Sequence, residues 1–88
     1  MDADLDHRQR DTIEKIFSHS SSANIEWRQV ESLLEALGAT RRERNGRLEV
    51  TLGGETEILD PPHGKDVDEQ MLVDLRRMLA NAGLAPQA

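Results

Sequence analysis

The chain has 88 residues, a net charge of −6 at pH 7 and no cysteine. A chain this short supports one hydrophobic core, so we expect a single domain spanning residues 1–88. The lack of cysteine excludes disulfides, cysteine-based zinc sites and thiol nucleophiles, and it suits a reducing compartment. No apolar run reaches the roughly 18 residues of a membrane span, and the acidic N-terminus is unlike a signal peptide. We therefore expect a soluble cytoplasmic protein.

Only 36% of the residues are hydrophobic, with one Trp, one Phe and no Tyr. The core must therefore be mostly aliphatic and thin, and a homo-oligomer or a partner protein would supply the missing burial. The acidic balance opposes non-specific attraction to nucleic acid, so no binding to DNA by itself is expected. Four of the 11 basic residues nevertheless lie within seven positions, at Arg41, Arg42, Arg44 and Arg47. They predict one locally basic face on an acidic body.

Three helices are indicated by apolar residues at helical spacing. After an acidic segment in residues 1–11, Ile13, Ile16 and Phe17 predict a short helix that starts between residues 6 and 12. Serine-rich residues 18–22 predict a polar connection. The second apolar stripe comprises Trp27, Val30, Leu33, Leu34 and Leu37, with Gly38 to end the helix. The third comprises Leu72, Leu75, Leu79 and Ala82, between an N-cap at Asp68 and Gly83, and residues 85–88 should fray.

Three strands are predicted between the second and third helices, in residues 39–44, 47–52 and 55–60. The dipeptides Asn45-Gly46 and Gly53-Gly54 suit two-residue hairpin turns. This register places Arg42 opposite Glu49 and Arg44 opposite Arg47 on the solvent-facing side. The second pair is repulsive, and two interpretations remain open: a local cost to folding, or a site where phosphate relieves the repulsion.

The order helix, helix, three antiparallel strands, helix predicts an α+β fold. Its helices would cover one face of a small three-stranded meander, with Pro61-Pro62 ending the last strand. The other face would be left to water or to a partner, and function should be sought there.

Residues 12–84 resemble the HicA family, the toxin components of bacterial toxin–antitoxin pairs. The resemblance lies in residues 12–17, 24–31, 33–38, 62–66, 75–79 and 82–84. It implies a double-stranded-RNA-binding-domain-like fold with an extra N-terminal helix. It also implies an endonuclease that cleaves messenger RNA and is held inactive by a HicB-like antitoxin protein. The family's working histidine usually follows a Gly-Ser pair on the hairpin, where this chain has Gly46-Arg47-Leu48.

This departure removes the expected catalytic base. Metal-free RNA cleavage needs a base with a pKa near 7, which histidine usually provides. Leu48 can supply neither base nor acid, Arg47 can only stabilise phosphate charge, and strand alternation sends Leu48 into the core. Neither the serine nor the histidine of the family can be carried over to this chain.

His63 is the candidate replacement, because it lies in a loop bounded by Pro and Gly, beside Lys65. A loop histidine is more often simply exposed or bonded to a nearby backbone carbonyl, and contact with RNA without catalysis is a third interpretation. The predicted phosphate-binding residues are Arg41, Arg42, Arg44, Arg47 and Lys65. No pair of histidines and acids has metal-ligand spacing, so neither a metal nor a cofactor is expected.

Two further features have a structural and a functional interpretation. Glu55 and Glu57 lie on one strand face and could act as a carboxylate pair, although alternating charges usually mark a solvated face. Trp27 could stack on a base, although its place in an apolar stripe favours the core.

Two functions are therefore weighed for this chain. The first is a non-catalytic HicA-like domain that binds a HicB-like antitoxin protein, RNA, or both. The alternative is an active, metal-free messenger-RNA ribonuclease of a toxin–antitoxin system that uses His63.

Overall fold

The computed structural model describes residues 5–18, 25–38 and 40–85. Most of the expected serine-rich connection and the expected frayed tail lie outside these residues. The described elements, in chain order, are α1 (His7–Phe17), α2 (Trp27–Ala36), β1 (Thr40–Arg42), β2 (Leu48–Leu52), β3 (Glu55–Leu59) and α3 (Glu69–Asn81). Within the described residues, three helices and a three-stranded antiparallel sheet in the order β1-β2-β3 confirm the expected α+β class.

The helices α1 and α3 begin where an aspartate side chain bonds free backbone N–H groups of the first turn. The Asp6 carboxylate accepts hydrogen bonds from the Arg8 and Gln9 amides at 3.0 and 3.1 Å, and the Gln9 side chain bonds back to the Asp6 amide at 3.0 Å. At α3 the Asp68 carboxylate accepts from the Met71 amide at 2.8 Å, as predicted. The start of α1 falls within the predicted interval.

The core lies between the helices and one face of the sheet. It consists of Ile13, Ile16, Ile25, Val30, Leu33, Leu34, Leu48, Val50, Leu52, Leu59, Val67, Met71, Leu72, Leu75, Met78 and Leu79. Trp27 is partly buried and packs against this cluster without belonging to it, so its expected place in the core is confirmed only in part. A hydrogen bond links α1 and α3, because the Arg76 Nε atom donates to the Ile16 carbonyl at 2.7 Å.

The turn between β2 and β3 has the predicted two residues. Leu52 lies opposite Glu55, and Gly53 and Gly54 have φ values of 58° and 81°. Positive φ at both positions is what a type I′ turn requires, and its twist matches that of the flanking strands. The register of β2 and β3 is therefore fixed by this turn.

The turn between β1 and β2 is one residue longer than predicted. The Glu43 amide donates to the Arg47 carbonyl at 2.8 Å, and the Gly46 amide donates to the Glu43 carbonyl at 3.1 Å. Gly46 has φ of 88°, which gives a type I turn followed by a left-handed glycine in a three-residue loop. The Asn45 Oδ1 atom stabilises the loop by accepting from the Arg47 amide at 3.1 Å.

The extra loop residue makes the predicted register of β1 wrong by one position. Arg41, rather than Arg42, lies opposite Glu49, and Arg42 lies opposite Leu48. Glu43, rather than Arg44, is bonded to Arg47. A slip of one residue moves every side chain of a strand to the other face. The predicted repulsive pair of Arg44 and Arg47 is therefore not formed, and neither interpretation of it applies.

Candidate functional site

The outer face of the sheet is the side turned away from the helices. Leu48, Val50 and Leu52 are buried against the helices, so the alternating residues of β2 point the other way. Strand pairing places Arg41 and Ile58 beside Glu49, and Thr56 beside Thr51. With Arg47 at its end, flanked by Glu43 on one side and Asp60 on the other, the outer face comprises Arg41, Glu43, Arg47, Glu49, Thr51, Thr56, Ile58 and Asp60.

The outer face carries charges of both signs, with two arginines and three carboxylates, and opposite charges lie next to each other. Arg41 lies opposite Glu49, and the Arg47 Nε atom is 2.6 Å from Asp60 Oδ1. The two threonine hydroxyl groups at its centre, Thr51 and Thr56, are 3.0 Å apart. Beside them Ile58 is 46% exposed, one of the two large apolar side chains exposed among the described residues. The surface is therefore mixed in character rather than basic.

The structure distributes the predicted phosphate-binding residues over different parts of the molecule. Arg41 and Arg47 lie on the outer face, whereas Arg42 lies on the helix side and forms ion pairs with Glu31 and Glu35 of α2. Arg44 is exposed in the β1–β2 loop. The fifth residue, Lys65, is 3.2 Å from the carboxylate of its neighbour Asp66. RNA binding by these residues stays a prediction.

His63 is exposed in the loop that precedes α3. This loop is tied to the start of α2, because the Trp27 amide donates to the Lys65 carbonyl at 2.7 Å and the Val67 amide donates to the Ile25 carbonyl at 3.0 Å. No described residue forms a hydrogen bond or ion pair with the His63 side chain. Its catalytic role stays a prediction, without a described group to orient its ring.

Leu48 occupies the region of the hairpin that would carry the family's histidine. Its side chain is 1% exposed, which confirms that strand alternation sends it into the core. No substrate reaches an atom at this depth without unfolding the hairpin.

Similarity to known proteins would be an independent source of functional information. No protein-family model, curated protein or solved structure matches this chain. What the chain does must therefore be inferred from the contacts and charges of its own residues.

Glu55 and Glu57 do not form a simple solvated face, which corrects the structural expectation for them. Both lie on the helix side of β3, where each is half-buried and contacts Arg77 of α3. The Arg77 guanidinium donates to Glu55 at 3.0 Å, to Glu57 at 3.1 Å and to Asp74 at 3.2 Å. These carboxylates are therefore engaged in joining α3 to the sheet.

The Arg77 cluster predicts acid sensitivity. The hydrogen bond from Arg77 holds the pKa of Glu55 below its ordinary value. A carboxyl group with a lowered folded-state pKa stabilises the fold above its unfolded-state pKa, and the contribution is lost as pH falls through the folded-state pKa. We expect Glu55→Gln and Arg77→Gln each to reduce the loss of stability on acidification, measured by urea unfolding at several pH values. The double variant should behave like either single variant, and additive effects would contradict the assignment.

A second surface feature is a polar groove of about 370 Å³ between α1 and α2. Its charged lining residues are Arg8, Asp11, Lys15, Glu26 and Arg28.

Among the described residues, no cluster of His, Cys, Asp or Glu is arranged to hold a metal ion, there or elsewhere. In the same part of the chain, none of the helices has the length and apolarity needed to cross a membrane.

Proposed function

We propose that this chain is a HicA-like domain without catalytic activity, which binds a HicB-like antitoxin protein through the outer face of its sheet. The observation that carries the proposal is the mixed charge of that face, where Arg41 lies opposite Glu49 and Arg47 lies between Glu43 and Asp60. RNA binding depends on concentrated positive charge, which a face with more carboxylates than arginines does not provide. Protein interfaces instead combine exposed apolar side chains with complementary charges around them.

The order of elements supports the HicA-like part of the proposal. Counted from α2, the chain runs helix, three antiparallel strands, helix, and α1 is then an addition at the N-terminus. This is the order of the double-stranded-RNA-binding-domain-like fold that the sequence resemblance implies. The fold leaves one sheet face uncovered, where a partner can dock.

The position of Leu48 supports the absence of catalysis. A general base must reach the proton that it abstracts, and Leu48 is buried and carries no such group. His63 is exposed beside Lys65, and the alternative of a messenger-RNA ribonuclease rests on that pair. Lys65 is however already paired with Asp66.

The binding surface is tested with two arginine substitutions on opposite sides of the molecule. Thr51→Arg places a long charged side chain at the centre of the outer face, whereas Val73→Arg does so at an exposed position of α3. We expect Thr51→Arg to weaken binding of a HicB-like protein encoded beside this chain by about tenfold or more, since hot spots lie at interface centres. Isothermal titration calorimetry measures both affinities, and Val73→Arg should bind like the unaltered protein.

The catalytic part is tested on the same preparations. The unaltered protein and the His63→Ala variant are incubated with total messenger RNA at low salt without metal, and both should leave the RNA intact. Cleavage that His63→Ala loses would establish the ribonuclease instead. Equal weakening of antitoxin binding by Thr51→Arg and Val73→Arg would instead reject the outer face as the docking surface.

A further inference from the structure

The strand β3 forms a free edge of the sheet. It pairs with β2 on one side, and no described strand pairs with its other side. In a two-residue hairpin the residues that flank the turn, here Leu52 and Glu55, exchange backbone hydrogen bonds with each other. Successive residues alternate, so the N–H and C=O groups of Thr56, Ile58 and Asp60 point away from β2. A free edge of this kind is a template for another strand.

We propose that β3 pairs with β3 of a second copy of this chain, antiparallel and about a two-fold axis at Ile58. The pairing joins two three-stranded sheets into one sheet of six strands. A two-fold axis perpendicular to the sheet keeps the helices of both copies on the same side. The outer face of each copy, apart from Ile58 at its β3 edge, stays uncovered, so the proposal does not depend on the antitoxin binding proposed above.

The register follows from which residues can face each other across the two-fold axis. Residues whose N–H and C=O groups point away from β2 must pair with residues of the same kind, which leaves four registers, with the axis at Thr56, Glu57, Ile58 or Leu59. An axis at Thr56 places Glu55 opposite Glu57 of the other copy, and an axis at Glu57 places Glu57 opposite its own equivalent. Like charges directly opposite each other on a sheet are destabilising. An axis at Leu59 places Thr56 opposite Pro62, which has no N–H group to donate to the ladder. The axis at Ile58 avoids all three arrangements and places Glu57 opposite Leu59.

The same register covers an exposed apolar side chain. Ile58 is 46% exposed on the outer face, and the two-fold axis places it against Ile58 of the other copy. Thr56 of each copy would exchange backbone hydrogen bonds with Asp60 of the other. Pro61 has no N–H group, but its backbone falls on the side that faces β2, so the new ladder does not need a donor there. The two-fold symmetry also closes the assembly at two copies along this edge.

The test uses cross-linking, which the lack of cysteine in this chain makes specific. In the Ile58→Cys variant the two Cα atoms would lie about 5.5 Å apart, within disulfide range. In the Thr56→Cys variant they would be about 14 Å apart, well beyond it. Under mild oxidation we expect Ile58→Cys to give about tenfold more disulfide dimer than Thr56→Cys. A mixture of Thr56→Cys and Asp60→Cys chains should give the mixed dimer.

Sedimentation equilibrium on the unaltered chain provides the second readout. The protein should dimerise with rising concentration, Ile58→Asp should abolish the dimer, and Val73→Asp, at the other exposed apolar residue, should not. A chain that remains monomeric at its solubility limit overturns the proposal. Equal cross-linking at positions 56 and 58 also overturns it. A dimer in which Ile58→Cys fails to cross-link overturns it too. That result would indicate another arrangement, such as a parallel pair, in which residue 58 of the two copies lies on opposite faces of the sheet.

Discussion

Replacing Gly53 by alanine should lower the free energy of unfolding by about 3 kcal/mol, because the new methyl group has no room and the backbone is left-handed. A Cβ atom at this position would lie 2.8 Å from the Asn81 carbonyl carbon and 2.9 Å from the Ala82 amide nitrogen. Both are backbone atoms at the end of α3, so relief requires that the β2–β3 hairpin and the helix move apart. Urea unfolding followed by circular dichroism measures the change.

Gly54 is the matched control for this prediction. It also has positive φ, at 81°, but a Cβ atom there would meet nothing within 4 Å. Gly54→Ala should therefore cost only about 1 kcal/mol, from the backbone conformation alone. Equal losses in the two variants would show that the contact between the hairpin and α3 adds nothing to the cost at Gly53.

The two hairpins show why turn length could be predicted in one case and not in the other. Gly53-Gly54 needs positive φ at both positions, and the two glycines allow it without a side-chain cost. Gly46 is compatible both with a two-residue turn and with the left-handed position of a three-residue loop. The sequence around Asn45-Gly46 therefore does not decide between them. Interactions distant in sequence accompany the observed register, among them the ion pair of Arg42 with Glu31.

The candidate site was harder to predict than the helices because it depends on contacts between residues that are distant in sequence. Caps such as Asp68 and apolar stripes at helical spacing are local signals, and they predicted the three helices. Proximity along the chain suggested one basic patch, but the slip of β1 turns Arg42 towards α2. Glu31 and Glu35, four residues apart on one face of α2, were the available signal for that contact. The contact of Arg77 with Glu55 joins residues 22 apart, which no local pattern indicates.

Installing a histidine at position 48 should destabilise the fold rather than create a nuclease. Leu48 is 1% exposed and belongs to the core, so Leu48→His loses apolar packing and buries an imidazole among aliphatic side chains. We expect a loss of about 4 kcal/mol in the free energy of unfolding, measured by urea denaturation. The variant should also leave messenger RNA intact, because a buried ring cannot reach a 2′-hydroxyl group.

Arg47→His is the matched variant, because the adjacent residue lies on the outer face with 53% of its side chain exposed. It removes the ion pair with Asp60, and a surface pair contributes about 1 kcal/mol or less. A Leu48→His chain that keeps its stability and cleaves RNA would mean that β2 can slip by one residue against its neighbours. Such a slip turns residue 48 to the outer face. The missing histidine alone, and not the three-residue loop at Asn45 and Gly46, would then separate this chain from an active ribonuclease.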